Sequence, residues 1–463
     1  MLLSVVPARA EDAGDAREPF PSARLFPRPA SMEPQVRFWK SIFADYSIHQ
    51  VVLHDALYLD KVYKVLDFRR HLDDGLSEAE VDRIQRIDTD LELARLRATL
   101  LRLHGLGPKP EGLTAEEQKI WDLFKDDASP DRFLAAADDK RLRAQRGLRE
   151  RFAEGVRVFQ RYRPEMERIF RDEGLPLELT RLPLIESCFN LHANSKVGAA
   201  GVWQFMPATG RLFMRVDHIV DERRDPLHST RAAAAFLREI HDDLDTWPLA
   251  ITAYNHGPDG IARAVRELGT NDIATIVRAY HGRAFGFASR NFYAEFLAAL
   301  DVERNYRLHF GALTPAPPLR AREHRLEHPL GFEAACRLAK ADEDEIAELN
   351  PALSRLVLTG RRPIPRGYRL RIPEAAAPGF ETRLAELDAE TQVTRVASSE
   401  GATSARVRPA VLTYKVKRTR TTHVAKRHKT TTSARHRTTG RAKKAKHGRR
   451  RPPTKLTSAK SAT

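Results

Sequence analysis

Cysteine is scarce in this sequence, which contains only Cys188 and Cys336 among its 463 residues. Two thiols are too few for a disulfide scaffold, and their separation does not match the spacing of paired metal ligands. Long apolar runs are also missing, since no stretch of 18 consecutive apolar residues occurs. The sequence therefore indicates neither a disulfide-rich domain nor a metal site, and it argues against a membrane-spanning helix.

Acidic residues are absent from the last part of the chain. Residues 401–463 contain 20 Lys and Arg but no Asp or Glu, so the formal net charge of +16 leaves −4 for the first 400 residues. We interpret residues 376–463 as a linker and a basic, disordered, low-complexity tail, because its Thr, Arg, Lys and His cannot form a packed core. We expect such a tail to attract anionic envelope polymers, with a solvating role as the alternative. The net negative body argues against specific nucleic-acid binding.

The first residues have a short apolar run without a positively charged start. In MLLSVVPARAED, the sequence Ala8-Arg9-Ala10 has the Ala-x-Ala pattern of a signal-peptidase cleavage site. We interpret residues 1–34 as the remnant of an export signal, with a natural start further upstream, followed by a linker. An ordinary N-terminus is the alternative. Export predicts a protein of the periplasm or cell envelope.

Helix signals dominate residues 35–172. Ser77 with Glu80 and Thr114 with Glu117 have the spacing of capping boxes, which mark helix starts. The stretch HQVVLHDALYLDKVYKVLDF is rich enough in β-branched and aromatic residues to predict two short strands. We therefore expect a helical N-terminal region with a small β element.

A second α-rich unit is predicted at residues 173–306. Its helix signals are interrupted by SKVGAAGVWQFMPATG, in which Gly198 and Gly201 favour a loop or a short ribbon. Glu186, in LIESCFN, is the one acid among the polar clusters that border apolar sequence here. A glutamate at a hydrophobic border has its pKa raised by desolvation, which lets it stay protonated near neutral pH and donate a proton.

Four motifs in this unit occur in the order typical of one enzyme family. They are the Glu-Ser pair in LPLIESCFN, GVWQ, AYN in WPLAITAYNHG, and the tyrosine of SRNFYAEFL, spread over about 110 residues. In this order they resemble the lytic murein transglycosylases of the soluble-lytic-transglycosylase, goose-type lysozyme-like family, most like the membrane-bound murein transglycosylase D group. The resemblance implies a mainly α protein whose catalytic domain has a lysozyme-like α+β fold.

The resemblance also implies the chemistry. Glu186 would be the sole general acid and base, cleaving the β-1,4 bond between N-acetylmuramic acid and N-acetylglucosamine to leave 1,6-anhydro ends, with no metal and no cofactor. The remaining matched positions imply contacts to a peptidoglycan glycan strand, namely Ser187, Gln204, Tyr254, Asn255 and Tyr293. A hydrolytic lysozyme and a non-catalytic peptidoglycan-binding protein are the alternatives.

A smaller unit follows at residues 313–375. Its sequences DEDEIAELNPAL and GYRLRIP resemble the later half of a LysM peptidoglycan-binding module, but no first strand is recognisable. We therefore interpret it as a degenerate LysM-like α+β segment.

Overall fold

Helices predominate along the chain, which confirms the mainly α prediction. The computed structural model describes residues 23–107 and 110–387. Most of the predicted signal remnant and nearly all of the predicted basic tail lie outside the described residues. None of the helices in the described part is long and apolar enough to cross a membrane.

The N-terminal region combines helices with a small sheet. Ser77 and Thr114 accept hydrogen bonds from the backbone N–H groups of Glu80 and Glu117, so both predicted capping boxes are present. The helices of this region are α1 (Glu33–Ala44), α2 (Arg69–Asp73), α3 (Glu78–Gly105), α4 (Ala115–Asp122), α5 (Arg132–Ala136) and α6 (Arg149–Asp172).

Three antiparallel strands form the sheet, in the order β2-β1-β3. Strands β1 (Gln50–Asp55) and β2 (Val62–Asp67) are the two that the sequence predicts. Strand β3 (Leu142–Arg146) was not predicted, because LRAQR has no β-branched residue and only its pairing with β1 makes it a strand.

The central region surrounds a single large core. Its helices are α7 (Leu182–Ser187), α8 (Pro207–Phe213), α9 (Pro226–Leu244), α10 (Trp247–His256), α11 (Pro258–Leu268), α12 (Ile273–Ala279), α13 (Phe287–Arg304) and α14 (Tyr306–Phe310). Helix α13 contacts α1, α7 and α10, while α9 contacts α6 and α10. Buried apolar side chains form one cluster from Phe26 to Val302, so the core joins the first helix to the region that contains the motifs.

Two short strands and three short helices follow the central region. Strands β4 (Ala321–Arg325) and β5 (Arg369–Pro373) pair antiparallel, and helices α15 (Phe332–Ala339), α16 (Glu343–Leu349) and α17 (Arg355–Leu358) lie between them in sequence. The sequence AREHR of β4 has no β-branched or aromatic residue, which is why the first strand was not recognised. We call residues 321–373 the C-terminal module. The domain boundaries stated above remain predictions.

Candidate active site

Glu186 is the penultimate residue of the short helix α7 and is half-buried. The helix ends there because Cys188 and Phe189 adopt left-handed backbone conformations, with φ of 47° and 52°. Helix α6 approaches this turn closely at Gly155, where an added Cβ would lie 2.3 Å from the Cys188 carbonyl oxygen. A glycine in α6 is therefore needed to bring the two helices together behind Glu186.

Residues 194–205, which include GVWQ and which we call the ribbon, form a tight turn of bridged backbone, as Gly198 and Gly201 predict. Ala200 makes bridge pairs with both Asn194 and Phe205. Gln204 lies at the end of the turn with φ of 48°, is buried, and donates from Nε2 to the Gly201 carbonyl oxygen at 2.8 Å. Its side chain is thus fixed by the backbone of its own ribbon.

Left-handed backbone is concentrated around this site. Five non-glycine residues of the described chain have a positive φ, and three of them are Cys188, Phe189 and Gln204. Such conformations cost about 1–3 kcal/mol each and persist where the surrounding structure enforces them, often at functional sites. Their proximity to Glu186 along the chain and in the fold favours a functional reading of this region.

Hydrogen bonds join the ribbon to the helices on either side. The Ser187 hydroxyl lies 3.0 Å from the Val202 carbonyl oxygen, and the Tyr254 hydroxyl donates to the Trp203 carbonyl oxygen at 2.9 Å. Trp203 is fully buried and donates from Nε1 to Thr230, so it is a core residue and not an exposed platform for a sugar ring. Glu186, the ribbon and α10 therefore form one connected site.

Two further ionisable groups, Tyr254 and Glu295, feel the charge of Glu186. Burial raises the pKa of Tyr254 well above its ordinary value, and the charge of Glu186 raises it further. Burial, reinforced by the charge of Glu186, also raises the pKa of Glu295 in α13 to about 8. Glu295 is therefore mostly protonated at pH 7, and the site holds a second carboxyl group that the motifs did not reveal.

Asn255 and Tyr293, the remaining predicted site residues, make hydrogen bonds with Ser289 and Pro27. Asn255, at the end of α10, is buried and accepts from the Ser289 hydroxyl at 3.1 Å. Tyr293 is fully buried in α13 and donates from its hydroxyl to the Pro27 carbonyl oxygen at 2.8 Å, and burial raises its pKa. Contacts to substrate or to Glu186 by these two residues remain predictions.

Neither thiol chemistry nor a metal centre is evident in the described residues. Burial raises the pKa of the Cys188 thiol to about 12, so the reactive thiolate is scarce at neutral pH. Within residues 23–107 and 110–387, His, Cys, Asp and Glu nowhere form a group of three that could hold a metal ion. The arrangement around Glu186 is suited to proton transfer by a carboxyl group.

A known protein family matches the part of the chain that contains this site. The family model for the transglycosylase SLT domain matches residues 167–277, which include Glu186, the ribbon and α10. This chain therefore carries a transglycosylase SLT domain.

The chain is homologous to curated lytic transglycosylases. It is 26% identical over 217 residues to membrane-bound lytic murein transglycosylase D of Escherichia coli strain K12, a match that covers 45% of this chain and 47% of that protein. The protein of the same name from Escherichia coli O6:H1 gives the same values. The matched region thus spans about half the length of these relatives. The 70 kDa soluble lytic transglycosylase of Escherichia coli is a structural match at 20% identity, covering 34% of this chain and 26% of that one with a TM-score of 0.28.

Proposed function

We propose that this protein is a peptidoglycan lytic transglycosylase that uses Glu186 as its single general acid and base. The observation that carries the proposal is the arrangement beside Glu186. The neighbouring Ser187 bonds the ribbon at Val202, and Tyr254 of α10 bonds the ribbon while its hydroxyl feels the charge of Glu186. These elements lie within the residues that match the transglycosylase SLT domain. The substrate would be the β-1,4 bond between N-acetylmuramic acid and N-acetylglucosamine.

The proposed reaction needs one carboxyl group acting twice. Glu186 gives its proton to the glycosidic oxygen as the bond from the anomeric carbon to that oxygen breaks. The C6 hydroxyl of the same N-acetylmuramic acid then forms a bond to the anomeric carbon and returns its proton to the Glu186 carboxylate. No water is consumed, the product is a 1,6-anhydro ring, and the intramolecular attack is favoured by effective molarities on the order of 10⁵ M or more.

Glu295 bears on the choice between transglycosylation and hydrolysis. Most glycoside hydrolases pair a carboxylic acid with a second, ionised carboxylate that acts as base or nucleophile. Glu295 is a second carboxyl group near Glu186, but its pKa of about 8 keeps it mostly neutral at pH 7. A neutral carboxyl group is a poor base, so in this proposal Glu295 does not serve as the second carboxylate of a hydrolytic lysozyme.

The rest of the proposal concerns binding and location. Gln204, Asn255 and Tyr293 would line or support the groove for the glycan strand. The C-terminal module would be a degenerate LysM-like segment, since β4 and β5 pair and enclose α15 and α16 in sequence. The protein would act in the cell envelope, where the basic tail would attract anionic polymers.

Product analysis tests this function. Purified peptidoglycan is digested with the wild-type protein, with Glu186→Gln, and with Glu173→Gln as a control at a half-exposed acid of the same region. The expected result is release of anhydro-muramyl ends, detected by mass spectrometry, by the wild type and the control but not by Glu186→Gln. Reducing ends would identify a lysozyme, and binding without release by the folded wild type would identify a binding protein.

A further inference from the structure

The C-terminal module is joined to the central region by backbone hydrogen bonds. The Asp221 N–H donates to the Ala352 carbonyl oxygen at 2.8 Å, and the Ser354 N–H donates to the Ile219 carbonyl oxygen at 3.0 Å. Val220 and Leu353 form a bridge pair between these bonds, and both are buried. The segment 219–225, which we call the junction segment, therefore extends the backbone pairing of the module into the central region.

A buried ion pair also joins the junction segment to the C-terminal module. Two guanidinium nitrogens of Arg371 in β5 lie 2.7 Å from the two carboxylate oxygens of Asp225, and the side chains are 4% and 1% exposed. Asp225 also caps α9 by accepting from the backbone N–H groups of Leu227 and His228. Breaking one partner of a buried pair is strongly destabilising because it leaves a charge without compensation.

The junction segment in turn holds the ribbon. Arg223 binds both carboxylate oxygens of Asp221 at 2.8 Å, so the orientation of its guanidinium group is fixed. Its remaining terminal nitrogen donates to the carbonyl oxygens of Gly198 at 2.8 Å and Phe205 at 3.0 Å. These two carbonyls lie on opposite arms of the ribbon that carries Gln204, so one side chain clamps both arms.

The ribbon and the junction segment are also in direct backbone contact. A Cβ added to Gly201 would lie 1.7 Å from the Arg223 carbonyl oxygen, and Gly201 has φ of 74°. No other residue fits there without displacing one of the two backbones. A shift of the junction segment therefore has to move the ribbon.

We propose that the C-terminal module positions the ribbon of the active site, acting through the junction segment, and that Arg223 is the positioning residue for Gln204. The module is then a structural part of the active site as well as a separate unit of the chain. The effect of this positioning on catalysis rests on the proposed function. The structural coupling between the C-terminal module and the ribbon does not.

Hydrogen exchange of the full-length protein, followed by mass spectrometry without substrate, tests the coupling. The test variant is Arg371→Met, and the matched control is Arg322→Met in the paired strand β4, whose ion pair with Glu374 is largely exposed. We expect peptides covering residues 196–206 to exchange at least about tenfold faster in Arg371→Met, because four amides of this stretch donate to backbone carbonyls within the ribbon or to that of Ala193. Helix α13 and the control should keep wild-type exchange.

Two results would overturn the coupling. Faster exchange confined to residues 343–373, with the ribbon unchanged, would show that the module moves alone. Equal acceleration in α13 would show general destabilisation. If Arg371→Met does not fold, Arg371→Lys is used, which keeps the charge but loses the paired geometry.

A second variant tests whether Arg223 holds the two arms of the ribbon in place. In Arg223→Lys we expect faster exchange of residues 196–206 with an unchanged module, and a fall in kcat larger than the change in KM. Unchanged exchange of the ribbon would exclude Arg223 as its positioning residue. If the wild type does not cleave peptidoglycan but the ribbon still exchanges faster in the variants, the coupling stands. Only the proposed function is then rejected.

Discussion

Helix α13 holds the half-buried carboxyl group of Glu295, and the junction with the C-terminal module holds the buried one of Asp225. The two environments shift the pKa values of these groups in opposite directions. Burial raises the pKa of Asp225, but Arg371 and then His228 more than offset it, so the pKa is lowered to about 2. Burial and the nearby charge of Glu186 raise the pKa of Glu295 to about 8. Within the described residues, no hydrogen bond or ion pair to the Glu295 carboxyl group offsets this rise.

The difference shows that charged partners, more than burial, decide whether each of these two acids is ionised at neutral pH. Asp225 is ionised, joins two regions and caps a helix, so its role is structural. Glu295 is mostly neutral and next to another acid, which is the arrangement found where pKa values are tuned for proton transfer. Four substitutions test this contrast.

The largest effect is expected for Glu186→Gln. Removing the only proposed acid and base should lower kcat by at least about 10²-fold, the lower end of what general acid–base catalysis contributes. Its thermal stability should stay near that of the wild type, because an isosteric amide replaces a half-buried carboxyl group. Turnover measured as soluble muropeptide release, with a melting curve on the same sample, checks both. Full activity would remove Glu186 from the mechanism.

Arg371→Met should lower the free energy of unfolding more than it lowers the catalytic rate. It leaves Asp225 buried without its cation, which should cost about 3–5 kcal/mol in the free energy of unfolding. Arg322→Met, at an exposed pair, should cost no more than about 1 kcal/mol. Urea denaturation of the three proteins measures the difference. Equal stability of the two variants would mean that Asp225 does not depend on this partner.

Gly201→Ala extends the contrast to the contact between the ribbon and the junction segment. Because a Cβ there meets the Arg223 carbonyl and the backbone is left-handed, we expect a loss of about 2–4 kcal/mol. Gly269→Ala is the matched control, since Gly269 also has a positive φ of 63° but nothing within 4 Å of an added Cβ. It should cost only about 1 kcal/mol. Similar urea midpoints for the two variants would contradict the close contact.

Glu295→Gln should have the smallest effect, and one that depends on pH. Because the folded pKa lies above the ordinary value of 4.5, the stabilisation linked to the protonated carboxyl is complete below pH 4.5 and is lost as the pH rises to about 8. The amide has no such loss, so its stability relative to the wild type should increase by roughly 1–3 kcal/mol between pH 5 and pH 8. Denaturation of the wild type and of Glu295→Gln at both pH values checks this.

Local sequence signals predicted the parts of this structure that depend on local physics. Capping boxes marked the starts of α3 and α4, β-branched residues marked β1 and β2, and two glycines marked the ribbon. The motif order pointed to Glu186, Ser187 and Tyr254 as site residues, and their roles remain predictions. Each of these features is contained within a short stretch of residues.

Contacts between distant residues were not predictable in the same way. Arg371 is 146 residues from Asp225, and Tyr293 is 266 residues from Pro27. Glu295 looks like an ordinary polar position of an amphipathic helix, and only the packing of α13 on α7 brings it near Glu186. The signal that would have found it is the placement of one acid among aromatic and alanine residues in SRNFYAEFLAAL.

We propose that Glu186 works without a second ionised acid, and end-group analysis of the products formed by Glu295→Gln can decide this. Peptidoglycan is digested at pH 7 with the wild type and with Glu295→Gln, and the released ends are identified by mass spectrometry. We predict 1,6-anhydro-muramyl ends from both proteins at comparable rates, because Glu295 is already mostly neutral at this pH. Reducing ends from the wild type that disappear in Glu295→Gln would contradict the account, since they would show hydrolysis by two carboxylates.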